Sequence, residues 1–205
     1  MRRPRAHMRS RAVAIVAAIV VVSSPLDWAH AGEPSALLQR QVDRVVAVLE
    51  DQGRDASARR QAVRAIVDET FDFQEAARRT LGHEWAERTP EEQVRFVSLF
   101  VDLIDRAYLR RLDQWDGQRI VVHDDTIDAD RATVRTEIVS RDGSRTPVDY
   151  LVRHSPEGQW RVVDITVDGA SLLGSYRVQF ARLLQTGGFA YLMERLQAKV
   201  SSLQP

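Results

Sequence analysis

The sequence predicts an α+β fold in which helices cover one face of a four-stranded antiparallel sheet. Three observations predict it. Apolar residues recur every three to four positions from about residue 35 to 115, the period drops to two between Gly117 and about residue 167, and helical spacing returns from about 170 to 200. The extended runs are separated by short turn sequences with no room for a crossover helix, so the simplest sheet is an antiparallel meander. No internal repeat, low-complexity tract or long Pro/Gly/Ser linker follows residue 34.

The first helix is expected at about 35–51. Leu38, Val42, Val45/Val46 and Leu49 fall at helical spacing, and Gly53 lies just beyond, where a left-handed terminal residue is favoured. Residues 56–69 continue with Val63, Ile66 and Val67, and Asp72 can cap a short helix through Leu81. Thr89-Pro90-Glu91-Glu92 then opens a longer helix with proline in its first turn. From Val94 to Leu112 its apolar positions cover well over half the circumference, whereas an ordinary surface helix shows one stripe about 100° wide. This helix must be covered on two sides. Either protein covers both, making it a central core helix, or one side faces a ligand.

Four strands are expected at about 118–123, 131–140, 147–154 and 159–167. Arg141-Asp142-Gly143-Ser144 and Ser155-Pro156-Glu157-Gly158 are turn sequences, and Pro147 can stand at a strand's first residue. In the second strand Ala132, Val134, Thr136 and Ile138 share a face. In the third Val148, Tyr150 and Val152 do so, and in the fourth Val163, Ile165 and Val167 oppose Trp160, Val162 and Asp164. One face of the sheet is therefore strongly apolar, though periodicity alone does not separate a filled core from a hollow one. The last helices are expected over Leu172–Leu184 and Phe189–Val200, broken at Gly187-Gly188.

Ahead of this lies an export-type leader. Met1–Arg11 holds five arginines and no acid, Ala12–Val22 is eleven consecutive apolar residues, and Ala29-His30-Ala31 offers a small-x-small cleavage pattern. Spanning a bilayer takes about 20 apolar residues, so the run reads as a secretory signal removed after Ala31. Met8, followed by Arg9-Ser10-Arg11, is an alternative start. A single domain over 32–205 is the expectation. Removing the leader's five arginines and Asp27 leaves 24 basic against 28 acidic side chains, a balance that argues against nucleic acid as a partner. The absence of cysteine excludes disulfides, thiol chemistry and a lipoprotein anchor.

The chain carries little of the chemistry an enzyme needs. His83, His123 and His154 share no metal-ligand spacing. In Gly169-Ala170-Ser171-Leu172-Leu173-Gly174 the second glycine falls one place late for a nucleophile elbow, so Ser171 reads as a helix cap. The acidic run Asp124, Asp125, Asp128 and Asp130 lacks the glycine and closing glutamate of a calcium loop and reads as a solvated hairpin turn. Phosphate-binding glycine motifs are absent, so no nucleotide site is indicated.

The ordered succession of segments resembles the MlaC/toluene-tolerance family. It is carried by Phe71-Asp72-Phe73, Leu81-Gly82, Trp85, the Pro90-Glu91-Glu92 start with Phe96, Leu99, Phe100, Tyr108 and Leu109, then Asp149-Tyr150, Trp160 to Ile165, Asp168 to Leu172, and Tyr176 to Phe180. The match spans about 35–198. The resemblance implies a nuclear-transport-factor-like curved sheet enclosing lipid tails against flanking helices. It also implies a periplasmic carrier passing phospholipid between an outer-membrane lipoprotein complex and an inner-membrane ABC transporter complex, with lipid as cargo and no cofactor. A hopanoid-associated branch of the same family is a second possibility for the cargo. The sequence departs from many relatives at Gly174-Ser175, where they have an asparagine, and at Ala170, where valine is common; both changes bear on cavity width or mouth.

On that reading the apolar walls supply lining candidates from several elements. They are Trp85; Phe96, Phe100, Leu103 and Tyr108 on the long helix; Val134, Ile138, Tyr150, Val152, Val163 and Ile165 on the strands; and Leu172, Tyr176 and Phe180 after them. Arg177 has two readings: a mouth residue pairing with a lipid phosphate, or an ion-pair partner of Asp164 or Asp168. Two rival classes stay open: a protein-binding adaptor, and an enzyme using a buried ionisable group such as Asp164 or His154.

Overall fold

The computed structural model describes residues 32–108, 115 and 117–203. The leader and its cleavage site lie outside the described residues, as does the end of the long helix beyond Tyr108. The fold class is as expected, and most element boundaries fall within a few residues of those read from the sequence.

Helix α1 spans Glu33–Glu50 and helix α2 Ala56–Thr70, with the Asp55 carboxylate accepting the Ala58 N–H at 2.8 Å as cap. Helix α3, Phe73–Leu81, is capped by Asp72, whose side chain accepts the Glu75 N–H at 2.9 Å. It ends at Gly82, where φ is +63°, and a 3₁₀ turn over Gly82–Glu87 leads on to helix α4, Pro90–Tyr108. Thr89 and Glu92 form a reciprocal capping box at its start. Among the described residues no helix is long and apolar enough to cross a membrane.

The sheet is an antiparallel meander of β1 (Arg119–Asp128), β2 (Arg131–Val139), β3 (Arg145–His154) and β4 (Trp160–Val167). A short fifth strand that the sequence did not announce, β5 (Ala170–Ser171), joins β4 through the Asp168-Gly169 turn, both residues at positive φ. The kinked helix α5 then spans Leu172–Ser202. Its break is where the sequence placed it: Gly187 and Gly188 leave helical geometry, and Gly188 sits at φ +71° and ψ −168°, a region open to glycine almost alone.

Two β-bulges change which side chains share a face. Val122 pairs with Thr136 but Asp125 with Val134, so β1 carries one extra residue between them. This divides the acidic run expected to be one solvated turn. Asp124 pairs with Arg135 through two contacts of 2.9 and 2.8 Å, while Asp125 turns to the other face and accepts the Ser35 N–H at 2.8 Å, satisfying a donor at the start of α1. In the second bulge Val152 pairs with Val162 and Tyr150 with Ile165, which makes Val163 the extra residue. Val162 and Ile165 therefore share a face, and the strict alternation read for β4 is corrected.

The interior consists of two clusters. Leu38 and Val42 of α1 pack on Ala132, Val134, Val152 and Val162 of the sheet. Separately, Ala76, Ala77 and Leu81 of α3, Phe96, Leu99, Phe100 and Leu103 of α4, and Leu173, Phe180, Leu192, Met193, Leu196 and Val200 of α5 form a helical cluster. The helices touch β4 from both sides, since α1 belongs to the cluster of Val162 while Asp164 and Leu151 share a groove with α3 and α5. The expectation that helices cover one face only is corrected accordingly.

Candidate functional site

The seam between the two clusters is a cavity of about 790 Å³. The sheet side contributes Ile165, Val167 and Ala170, α2 and its exit contribute Val67, Phe71 and Phe73, and the helical side contributes Leu103, Ile104, Ala107 and Tyr108 from α4. Helix α5 closes it with Leu172, Ser175, Tyr176, Gln179, Phe180 and Leu183 before the kink and Arg195, Leu196 and Lys199 after it, and Leu203 follows. A second hollow of equal volume, between the outer side of α4 and the end of α5, is lined largely by polar and charged residues including Glu91, Arg95, Asp102 and Arg106. Of the two, the first has by far the more extensive apolar wall.

Local chemistry fixes the elements around this cavity. Asp164 accepts the Ser171 hydroxyl at 2.6 Å and the Leu173 N–H at 3.1 Å, and Ser171 in turn accepts the Gly174 N–H at 2.8 Å. The start of α5 is thus tied to β4 through the helix cap that the sequence assigned to Ser171. Phe71 forms an isolated bridge to Val162, and the Asp72 N–H donates to the Val162 carbonyl at 2.9 Å, which brings the α2–α3 junction against the sheet. Arg64 of α2 and Asp105 of α4 form an ion pair at a buried carboxylate, tying those two helices together beside the cavity.

Aromatic packing makes the wall rigid. Tyr176 meets Phe100 edge to face at 5.7 Å and Phe180 at 5.7 Å, and Phe180 meets Phe96 edge to face at 5.8 Å. Tyr176 and Phe180 line the cavity, while Phe96 and Phe100, 0% and 1% exposed, stand behind them as solid core. The middle of α4 is therefore covered by protein, and its described residues from Leu103 to Tyr108 border the cavity. Burial, with the neighbouring Tyr108, raises the Tyr176 phenol above its ordinary pKa. Burial likewise raises that of Tyr150.

Of the lining candidates from sequence, Leu103, Tyr108, Ile165, Leu172, Tyr176 and Phe180 come together here. Val134 and Val152, both 0% exposed, pack under α1, and Tyr150 packs partly buried against the same cluster. Val163 is the bulged residue, Ile138 lies half-buried at the far end of β2 opposite Ile120, and Trp85 packs on the helical cluster from the 3₁₀ turn. Val134, Tyr150 and Val152 lie outside the lining because α1, whose apolar stripe is legible in the sequence, takes the sheet face that periodicity leaves open to a cavity. Arg177 also lies elsewhere. It shares a separate groove of about 410 Å³ with Arg78, Arg79 and Gly82, and among the described residues it pairs with neither Asp164 nor Asp168.

Sequence reasoning missed Phe71, Phe73, Ile104, Leu183, Arg195 and Lys199. Phe71 and Phe73 had been singled out as motif residues without a place in the site. Ala170 and Ser175 both stand in the lining. His83, His123 and His154 are dispersed: the first is on the 3₁₀ turn, the second beside Glu137 on the sheet, and the third edge-on to Trp160. Among the described residues no group of three His, Asp or Glu side chains is placed to hold a metal ion.

Comparison with known proteins places the chain among lipid-binding relatives. Residues 39–198 match the family described as MlaC protein. The chain is 31% identical over 103 residues to the toluene tolerance protein ttg2D of Pseudomonas putida, a stretch covering 49% of this chain and 46% of that protein's length. It is 22% identical over 176 residues to the intermembrane phospholipid transport system binding protein MlaC of Haemophilus influenzae, covering 82% of each. Among solved structures it resembles a phospholipid-binding protein from Ralstonia solanacearum in complex with a phospholipid, with a TM-score of 0.75, 27% identity, and coverage of 83% of this chain and 98% of that one.

Proposed function

The chain belongs to the MlaC family, and we propose on that premise that it is a periplasmic phospholipid carrier, loading and delivering lipid between membrane-embedded complexes of an ABC-type transport system. The observation that carries this reading is the apolar-walled cavity of about 790 Å³ at the seam of the two clusters. That volume falls within the range of about 300–1,000 Å³ that small-molecule sites occupy. The phospholipid held by the Ralstonia solanacearum relative supports the cargo class. The leader read in Met1–Ala31 supports export, and the residues of Ala12–Val22 are too few to remain as a membrane anchor.

The physical need for a carrier is large. Two acyl chains of about sixteen carbons, at about 0.8 kcal/mol per CH₂, would cost on the order of 25 kcal/mol if left in water. A shuttle removes that barrier by offering Leu103, Ile104, Tyr176, Phe180 and Leu196 as a substitute for the bilayer interior while the headgroup stays at the opening. It requires no reacting group, and binding without chemistry accords with the family.

The test is direct. Protein secreted into the periplasm of a bacterial host and purified without detergent is extracted with organic solvent, and the extract is quantified by mass spectrometry. About one phospholipid per chain is the expected result. Lipid-free protein that also takes up none from phospholipid vesicles would overturn the reading.

A further inference from the structure

The cavity is not uniformly apolar, and the exposed charges among its described lining residues have one sign. Among the described lining residues the only acid is Asp105, which is buried and already paired with Arg64. The only cations among the described lining residues are Arg195 and Lys199. Both are exposed, and neither side chain forms an ion pair among the described residues. They stand four residues apart on α5, hence on one helix face about 6 Å apart along the axis. Between them in sequence, Leu196 points into the buried wall at 3% exposure, and the lining also holds the exposed polar side chain of Gln179. The cavity thus grades from a buried floor of Leu103, Phe180 and Leu196 to exposed Arg195 and Lys199, two positive charges without an ion-pair partner among the described residues.

Resting on the carrier reading above, the geometry points to Arg195 and Lys199 as a cradle for the phosphodiester of the cargo, with a preference for lipids whose headgroup is net anionic. Hydrocarbon must occupy the apolar floor, because only there is it out of water, so the phosphate of a loaded lipid is left at the opening. There the Arg195 guanidinium can donate two parallel hydrogen bonds to phosphate oxygens while the Lys199 ammonium adds a point charge from the next turn. A zwitterionic headgroup brings its own ammonium into the same field, which reduces the gain; a net anionic one such as phosphatidylglycerol does not. Asp105 is buried and engaged from the side of α2 by Arg64, which also meets Asp68 at 3.2 Å, whereas Arg195 and Lys199 are exposed.

The experiment compares the phospholipids that co-purify from the periplasm with wild type and with the Arg195→Gln, Lys199→Gln double variant, using the host membrane extract as reference. Wild type is expected to hold anionic over zwitterionic lipid at a ratio at least about threefold above that of the membranes, the scale of one exposed charge pair. The double variant is expected to fall back to the membrane ratio with unchanged melting temperature, and Lys199→Arg to keep the enrichment. An identical headgroup distribution in wild type and double variant overturns the cradle while leaving the carrier reading intact. Absence of lipid from both proteins overturns the carrier reading and the cradle with it.

Discussion

Glu75 shows how single residues hold the α3 side of the molecule. It is a buried carboxylate within reach of three guanidinium groups: Arg78 at 2.6 Å, Arg153 at 3.4 Å and Arg79 at 3.6 Å. The hydrogen bonds from Arg78, followed by the charges around it, hold its pKa below the ordinary glutamate value of 4.5. A group depressed in this way stabilises the fold above its unfolded pKa, and the contribution is lost as pH falls through the folded value. Acid unfolding of wild type should therefore include a component below about pH 4.5 that Glu75→Gln lacks, with the variant less stable at neutral pH by about 2 kcal/mol, the scale of a hydrogen bond to a charged group. Chemical denaturation at a series of pH values checks both; parallel pH profiles for the two proteins would contradict it. At this scale the sequence is partly legible. Asp55, Asp72, Thr89 and Ser171 announce their helix starts by residue type and position, whereas the cluster at Glu75 is only half local: Arg78 and Arg79 stand three and four residues on, but Arg153 reaches it from a strand distant in the chain.

At the scale of elements, the positions that sequence reasoning assigned wrongly are those where the backbone leaves its period. The alternation in β4 breaks at Val163, and no residue in Trp160–Val167 marks the break, since bulges need neither glycine nor proline. In β1 the bulge sends Asp125 to the start of α1 while Asp124 stays on the outer face, so one acidic run serves two purposes. The kink in α5 was legible because it is made of glycine. Gly188, at φ +71° and ψ −168°, occupies a conformation that costs a side-chain-bearing residue about 1–3 kcal/mol, and a Cβ on Gly187 would meet the Tyr191 ring carbon Cγ at 2.8 Å. Gly188→Ala should lower stability by that amount, because the halves of α5 are separately anchored: Leu173 and Phe180 before the kink and Leu192, Leu196 and Val200 after it all belong to one cluster. Thermal unfolding measures the loss. A variant as stable as wild type would mean that the break tolerates straightening, which the shared cluster argues against.

For the whole molecule, the decisive feature is that two cores meet without merging. One is sheet and α1, the other α3, α4 and α5, and the lining takes Phe71 and Ile165 from beside the first and Leu103, Phe180 and Leu196 from the second. The sequence supplied the apolar faces but not their partners. It left the sheet face and the long helix opposite each other, whereas α1 occupies that face and moves the void to the β4 edge. A void makes a prediction that a filled core does not. Ala107, on the last described turn of α4, is part of the lining, so Ala107→Phe extends a ring into free space rather than into packed atoms. Overpacking a filled interior costs about 1–3 kcal/mol. The variant should instead unfold within about 1 kcal/mol of wild type while its lipid content per chain falls several-fold, because the ring takes the volume that acyl carbons need. Phe100→Ala, behind the wall and 1% exposed, should do the reverse in stability, losing about 3–5 kcal/mol. Melting curves and lipid extraction on the same preparations separate these outcomes. An Ala107→Phe protein strongly destabilised in the absence of lipid would show that the seam is closed, and wild-type lipid content in a stable variant would show that the cargo lies elsewhere.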